Sequence, residues 1–144
     1  MSDPSSWTAH RLTELSQTEC RRLLSTKSVG RVAFAGEGAA PIVLPVNYVS
    51  RDGVIYFRTA SHNVLGTHLK DAMASFQVDD IDDFLESGWS VLVQGQSDFV
   101  DPSDEADLGL DRPSRQPDPW ASGVRNLLVR ITPFEISGRR INPR

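Results

Sequence analysis

PIVLPVNYVSRDGVIYFRT, running from Pro41 to Thr59, alternates apolar and polar residues on either side of an Asp52-Gly53 pair. Ile42, Leu44, Val46 and Tyr48 share one face of an extended segment, and Val43, Pro45, Asn47 and Val49 the other, because successive strand side chains point to opposite sides. Asp-Gly suits a tight hairpin, in which both central residues take positive φ. The stretch therefore predicts a strand from Ile42 to Val49, a two-residue turn, and a second strand from Val54 to Thr59. Pro45 has no N–H to give to a ladder, which puts its strand at a sheet edge or at a bulge.

The flanking sequence continues this pattern. Ser16 and Glu19 form an S-x-x-E capping box, and Cys20, Leu23 and Leu24 follow at helical spacing, which predicts a helix lying over one end of a sheet. Val32 and Phe34 alternate with smaller neighbours up to Gly36, a strand signal. A brief helical spacing returns at Val64, Leu65, His68 and Leu69. Strands are then expected at Met73 to Val78, Trp89 to Val100, Leu127 to Thr132 and Phe134 to Arg139, the last two separated by Pro133. Residues 102–119, with three prolines in RPSRQPDP, read as a loop holding at most a short helix near Asp104 to Leu110. Short strands joined by hairpins imply a mainly β protein, an antiparallel sheet closing into a barrel or packing as a sandwich.

With 144 residues, 39% hydrophobic and 24% charged, the chain suits a single globular domain, residues 15–144, behind an N-terminal extension at 1–14. A net charge of −4 argues against nucleic acid as a partner, and composition argues against a membrane span. The single cysteine, Cys20, cannot form an internal disulfide, and MSDPSSWTAHR is not a secretory signal, so the expected location is the cytoplasm.

Few residues carry chemistry on their own. Asp79, Asp80, Asp82 and Asp83 lack the glycine and distal glutamate of a calcium loop and read as a solvated acidic turn. His10, His62 and His68 have no zinc-ligand spacing. No Walker loop, dinucleotide fingerprint or nucleophile elbow is present, since Ser90 in GWSVL lacks the far glycine. A better candidate is the end of the second strand of the hairpin. Arg58 offers a planar cationic donor and Thr59 a hydroxyl, while Ser61, His62 and Asn63 precede a helix start, so the group resembles a seat for a phosphate monoester. Arg58 and Thr59 face opposite sides of a regular strand, so both reach one phosphate only where that strand is ending. An irregular edge at Pro45 would free main-chain groups of Val46, Asn47 and Tyr48 for an amide-bearing ring such as a flavin's.

Taken together, GRVAF, PIVLPVNYVSRDGVIYFRT, FQVDD, GWSVLVQG and the final Gly138-Arg139-Arg140-Ile141 resemble the pyridoxamine 5′-phosphate oxidase-like family of FMN-binding split β-barrels, from about Leu15 to Ile141. The resemblance implies a homodimer with two FMN molecules in grooves between protomers. It places Val46, Asn47 and Tyr48 along the isoalloxazine and Phe57, Arg58 and Thr59 near the ring and ribityl phosphate. Trp89 and Ser90 would come from near the protomer boundary, and Trp120 and Arg125 would cover the substrate side. Many relatives read T-x-x-x-S-K-L where this chain has Thr59 and then Asn63-Val64-Leu65, so Val64 replaces a phosphate-gripping lysine. Losing one charge-assisted contact costs about 1.5–3 kcal/mol, roughly ten- to a hundredfold in affinity.

The implied activity is an FMN-dependent oxidoreductase passing hydride or electrons between a reduced nicotinamide or deazaflavin donor and a small organic substrate. The alternatives are a non-catalytic protein that stores or senses a flavin, a haem-binding relative using His62 or His68, or a dimer that has lost its cofactor. Deazaflavin and haem are the alternative cofactors to FMN.

Overall fold

The computed structural model describes residues 12–36, 38, 40–59, 68–110 and 127–143. The elements are β1 (Leu12–Glu14), α1 (Gln17–Leu24), β2 (Val29–Phe34), β3 (Ile42–Asn47), β4 (Val49–Arg51), β5 (Val54–Thr59), β6 (Ala72–Asp82), β7 (Ser87–Phe99), α2 (Pro102–Glu105) and β8 (Leu127–Ile141). All strand pairs are antiparallel, in the order β3-β2-β6-β7-β8-β5-β4, with β1 added along β8. This is the mainly β, antiparallel split-barrel fold that the strand pattern and the resemblance imply, curled into a half-barrel.

Alternation builds the interior. Val32 and Phe34 of β2, Phe76 and Val78 of β6, Val91 and Val93 of β7, and Val129 and Ile131 of β8 bury their side chains in one cluster with Val46, Ile55 and Phe57. Ser16 caps α1, accepting from the Glu19 amide at 3.1 Å. The Glu19 carboxylate turns to Arg22 at 3.2 Å and Arg140 at 3.6 Å. Cys20, Leu23 and Leu24 face the sheet as their spacing predicts. The helix seats closely because position 138 is glycine: a Cβ there would lie 2.7 Å from Cys20 Sγ and 3.0 Å from Leu15 Cδ1. Asp52 and Gly53 make the β4–β5 turn with φ of 50° and 84°.

Three boundaries differ from expectation. The first strand stops at Asn47, and Val49 begins another. Here the Tyr48 amide donates to Ser28 O at 3.0 Å, and the chain leaves its pairing with β2 to pair with β5. Asp79 to Asp82 belong to β6 rather than to a turn, and the turn comes at 83–86. Lys27 and Arg31 hold Asp80 and Asp79 at 2.9 and 3.9 Å, which lets these carboxylates occupy a strand. Finally, Pro133 does not divide the last strand. It lies at a register shift opposite Gln94 and Gly95, where a Cβ on Gly95 would stand 2.0 Å from Thr132 O. Between Thr132 and Gly138, β8 also has a strand on one side only, because β5 ends at Ile131 and β1 begins at Arg139. A proline is tolerated at such a bulged, locally exposed edge. Leu15 N and Gln17 Nε2 donate to Gly138 O and Ile136 O along that edge, at 2.9 and 2.6 Å.

Candidate functional site

β3 ends one side of the sheet path and β4, after β5, ends the other. As the sheet curls, β3 approaches β5 without pairing to it, and Val46 and Phe57 both belong to the shared core. This seam brings together the two segments singled out in the sequence. β3 is an edge strand in unbroken register with β2, so Pro45 marks an edge rather than a bulge.

Side chains at the seam are mostly engaged inward. Val46, Tyr48, Phe57 and Thr59 are buried, and Asn47 is half-buried on the opposite face of β3. The Tyr48 hydroxyl donates to Leu24 O at 2.6 Å, and its ring meets Phe76 edge-on with centroids 4.6 Å apart. Burial raises the Tyr48 pKa above its ordinary value, so the phenol is a structural donor joining the β3–β4 junction to the end of α1. Burial, helped by Glu19 and Glu14, also raises the Cys20 pKa, which keeps that thiol protonated and unreactive.

Arg58 faces away from Phe57 and Thr59, as strand geometry requires, and lies beneath the segment following β7. That segment is N-capped by Asp101 and passes through α2 to Leu110, which is fully buried with Tyr56, Val100 and Leu128. The Arg58 guanidinium spans the Glu105 carboxylate, Nη1 to Oε1 at 3.3 Å and Nη2 to Oε2 at 3.1 Å, and Nη2 also reaches Leu110 O at 3.4 Å. Its Nε is buried with no acceptor among the described residues. Arg51 donates to Leu108 O, fastening the same segment. The short helix lies at Pro102–Glu105, earlier than the expected Asp104 to Leu110 and overlapping it only at Asp104 and Glu105, with turn at 106–109; it supplies Glu105, a residue no sequence motif marked.

Ser90 and Trp89 lie elsewhere. Trp89 turns into the core, while Ser90 points to the outer face of β7, into a groove of about 560 Å³. Gln77 of β6, Leu92 of β7, Ser137 and Arg139 of β8, and Thr13 and Glu14 of β1 line it as well. That volume falls within the range of small-molecule sites, about 300–1,000 Å³. Apart from Ser90, sequence reasoning missed this groove. The available signal was the mixed polar and apolar outer stripe Ser90, Leu92 and Gln94 on β7. No residue of β3 or β5 lines this groove. Asn63, Val64, Trp120, Arg125 and His62 lie outside the described residues. His68 lies against Phe34, ring centroids 5.9 Å apart. Among the described residues no three His, Cys, Asp or Glu side chains gather to hold a metal ion, and no helix is long and apolar enough to cross a membrane.

Residues 16–140 match the model of the pyridoxamine 5′-phosphate oxidase family. An uncharacterized Mycobacterium tuberculosis protein, Rv0080, is 34% identical over 92% of this chain and 88% of its own. Among solved structures, an FAD-binding protein of Mycobacterium smegmatis superposes with a TM-score of 0.72 at 33% identity, covering 90% of this chain and 100% of its own. A candidate pyridoxamine 5′-phosphate oxidase of Corynebacterium glutamicum superposes with a TM-score of 0.75 at 28% identity, covering 100% and 98%.

Proposed function

The chain belongs to the pyridoxamine 5′-phosphate oxidase family, and on that footing we propose that it binds FMN between two copies of itself and acts as a flavin-dependent oxidoreductase on a small organic substrate. The observation that carries the proposal is that the groove beside Ser90 is lined by no residue of β3 or β5, so that in our reading the segments expected to touch one ligand meet across two copies of the chain. The flavin-binding solved relative at 33% identity supports the choice of cofactor class. Because that relative binds FAD, which contains the FMN unit, a flavin extended by an adenylate is the nearest variant of the proposal.

In this account the main chain of Val46 to Tyr48 lies along the ring through the side that faces away from β2, since edge strand β3 leaves that side unpaired, while the Tyr48 amide itself is given to Ser28 O. Asn47 adds a side-chain amide. Phe57 and Thr59 close the core side of the site, Arg58 and Asn63 serve the phosphate, and Val64 stands where a lysine would. From the other copy come Ser90 and its groove neighbours, with Trp89 behind them fixing β7 from the core. Trp120 and Arg125 are assigned to the substrate side. The buried Arg58 donor without an acceptor and the mixed polar and apolar groove fit such a ligand. When bound, the flavin supplies hydride and single-electron chemistry, and the protein's part is to orient it and exclude water.

Purified protein tests this directly. The proposal expects a yellow flavin spectrum, or its appearance on titration with FMN, and reoxidation by quinones or nitro compounds after reduction by a nicotinamide or deazaflavin donor. Colourless protein that gives no calorimetric response to FMN or FAD contradicts it. Tight binding without turnover would favour storage. A Soret band abolished by His62→Ala would favour haem.

A further inference from the structure

Arg58 is the one proposed phosphate contact whose guanidinium is already engaged by an anion of its own chain, the Glu105 carboxylate. The pair is well shielded, with 12% and 15% of the two side chains exposed. Bidentate pairing with a carboxylate and with a phosphate uses the same fork of N–H groups. A carboxylate has two oxygens, and here both are spent on Nη1 and Nη2, while the buried Nε donor has no acceptor among the described residues. A phosphate monoester has a third oxygen to offer.

The geometry points to Glu105 as a built-in competitor for a phosphate at Arg58. Its carboxylate stands where the phosphate would, and the ligand enters by displacing it. The arrangement suits displacement. α2 is a single turn with no buried residue, so the Glu105 side chain can swing to solvent without moving the core. Leu110 stays buried, and the bonds from Arg51 to Leu108 O and from Arg58 to Leu110 O still hold the segment down. A buried guanidinium left without a partner is costly, whereas exchange of one anion for another keeps it paired. With Val64 at the lysine position, Arg58 carries more of the phosphate contact, and the balance between Glu105 and ligand sets affinity. This inference rests on the phosphate-bearing flavin proposed above.

The test compares wild type, Glu105→Gln and the double variant Arg58→Gln/Glu105→Gln, titrated calorimetrically with FMN and with riboflavin, and melted with and without inorganic phosphate. Glu105→Gln is expected to bind FMN about tenfold more tightly than wild type, one charge-assisted contact regained, with riboflavin unchanged. Phosphate should raise the Tm of Glu105→Gln more than that of wild type, and the double variant should lose both gains. If Glu105→Gln binds FMN no better than wild type while flavin still binds, the competition is refuted and the flavin proposal survives. If neither flavin binds any of the proteins but phosphate still stabilises Glu105→Gln through Arg58, the anion site stands and the flavin proposal falls. If phosphate also fails to stabilise it selectively, the pair is purely structural and the inference is overturned. Should Glu105→Gln fail to fold, Glu105→Asp, whose shorter side chain reaches the guanidinium less well, is expected to show a smaller gain in the same direction, and no gain there refutes the competition.

Discussion

The two faces of β7 are made of alternate residues of one strand, yet they are finished to different degrees. Inward, Trp89, Val91 and Val93 are buried against α1 and the facing strands. Outward, Ser90, Leu92 and Gln94 are half-exposed beside a groove that mixes hydroxyls, an amide, an arginine, a carboxylate and two leucines. The inner face is completed by its own chain. The outer face is left half-exposed and mixed in composition, and the proposal assigns it to a second copy and a flavin.

Replacing paired residues on the two faces sharpens this contrast. Phe76→Ala, on the inward side of β6, should cost about 3–5 kcal/mol, while Gln77→Ala, one residue on and facing the groove, should stay within about 0.5 kcal/mol in the isolated fold, both read by denaturant unfolding. Equal costs would erase the distinction. Leu92→Arg should leave the melting of the monomer nearly unchanged but abolish dimerisation and flavin retention in sedimentation, a loss of about 2 kcal/mol or more if Leu92 is central to the interface. A dimeric, flavin-loaded Leu92→Arg would show that the outer face is an ordinary solvated surface.

At the position where relatives carry a lysine, Val64→Lys should tighten FMN binding by about 1.5–3 kcal/mol, ten- to a hundredfold, with little change for riboflavin. An unchanged FMN affinity would remove Val64 from the phosphate site. Tyr48→Phe leaves the Leu24 carbonyl without its donor and should cost about 1–3 kcal/mol in unfolding. The sign with pH follows from the raised folded-state pKa. The phenol's contribution is complete below its ordinary value and fades as pH climbs through the folded value, so wild type and Tyr48→Phe should converge in strongly alkaline solution. Ser16→Ala should cost about 1 kcal/mol through loss of the α1 cap.

Much of the inner face was legible in the sequence, because alternation and helical spacing report burial directly. Ser16, Cys20, Leu23 and Leu24 identify α1, and Asp52-Gly53 identifies its hairpin. Local rules failed where tertiary partners overrode them. Pro133 signals a break, but a bulge and a locally missing neighbour strand accommodate it. Asp79 and Asp80 suggest a turn until Arg31 and Lys27 are placed beside them. Tyr48 fits a continuous strand until its amide is given to Ser28. At the candidate site, the opposite facing of Arg58 and Thr59 was predictable from strand geometry. The pairing of Arg58 with Glu105, 47 residues away, was not, since no local spacing encodes it.

Native mass spectrometry of the purified protein with FMN tests the central claim most directly. The account predicts a dimer carrying two flavin molecules, with no flavin on the monomer. A monomer that holds flavin, or a dimer that takes none, would contradict it.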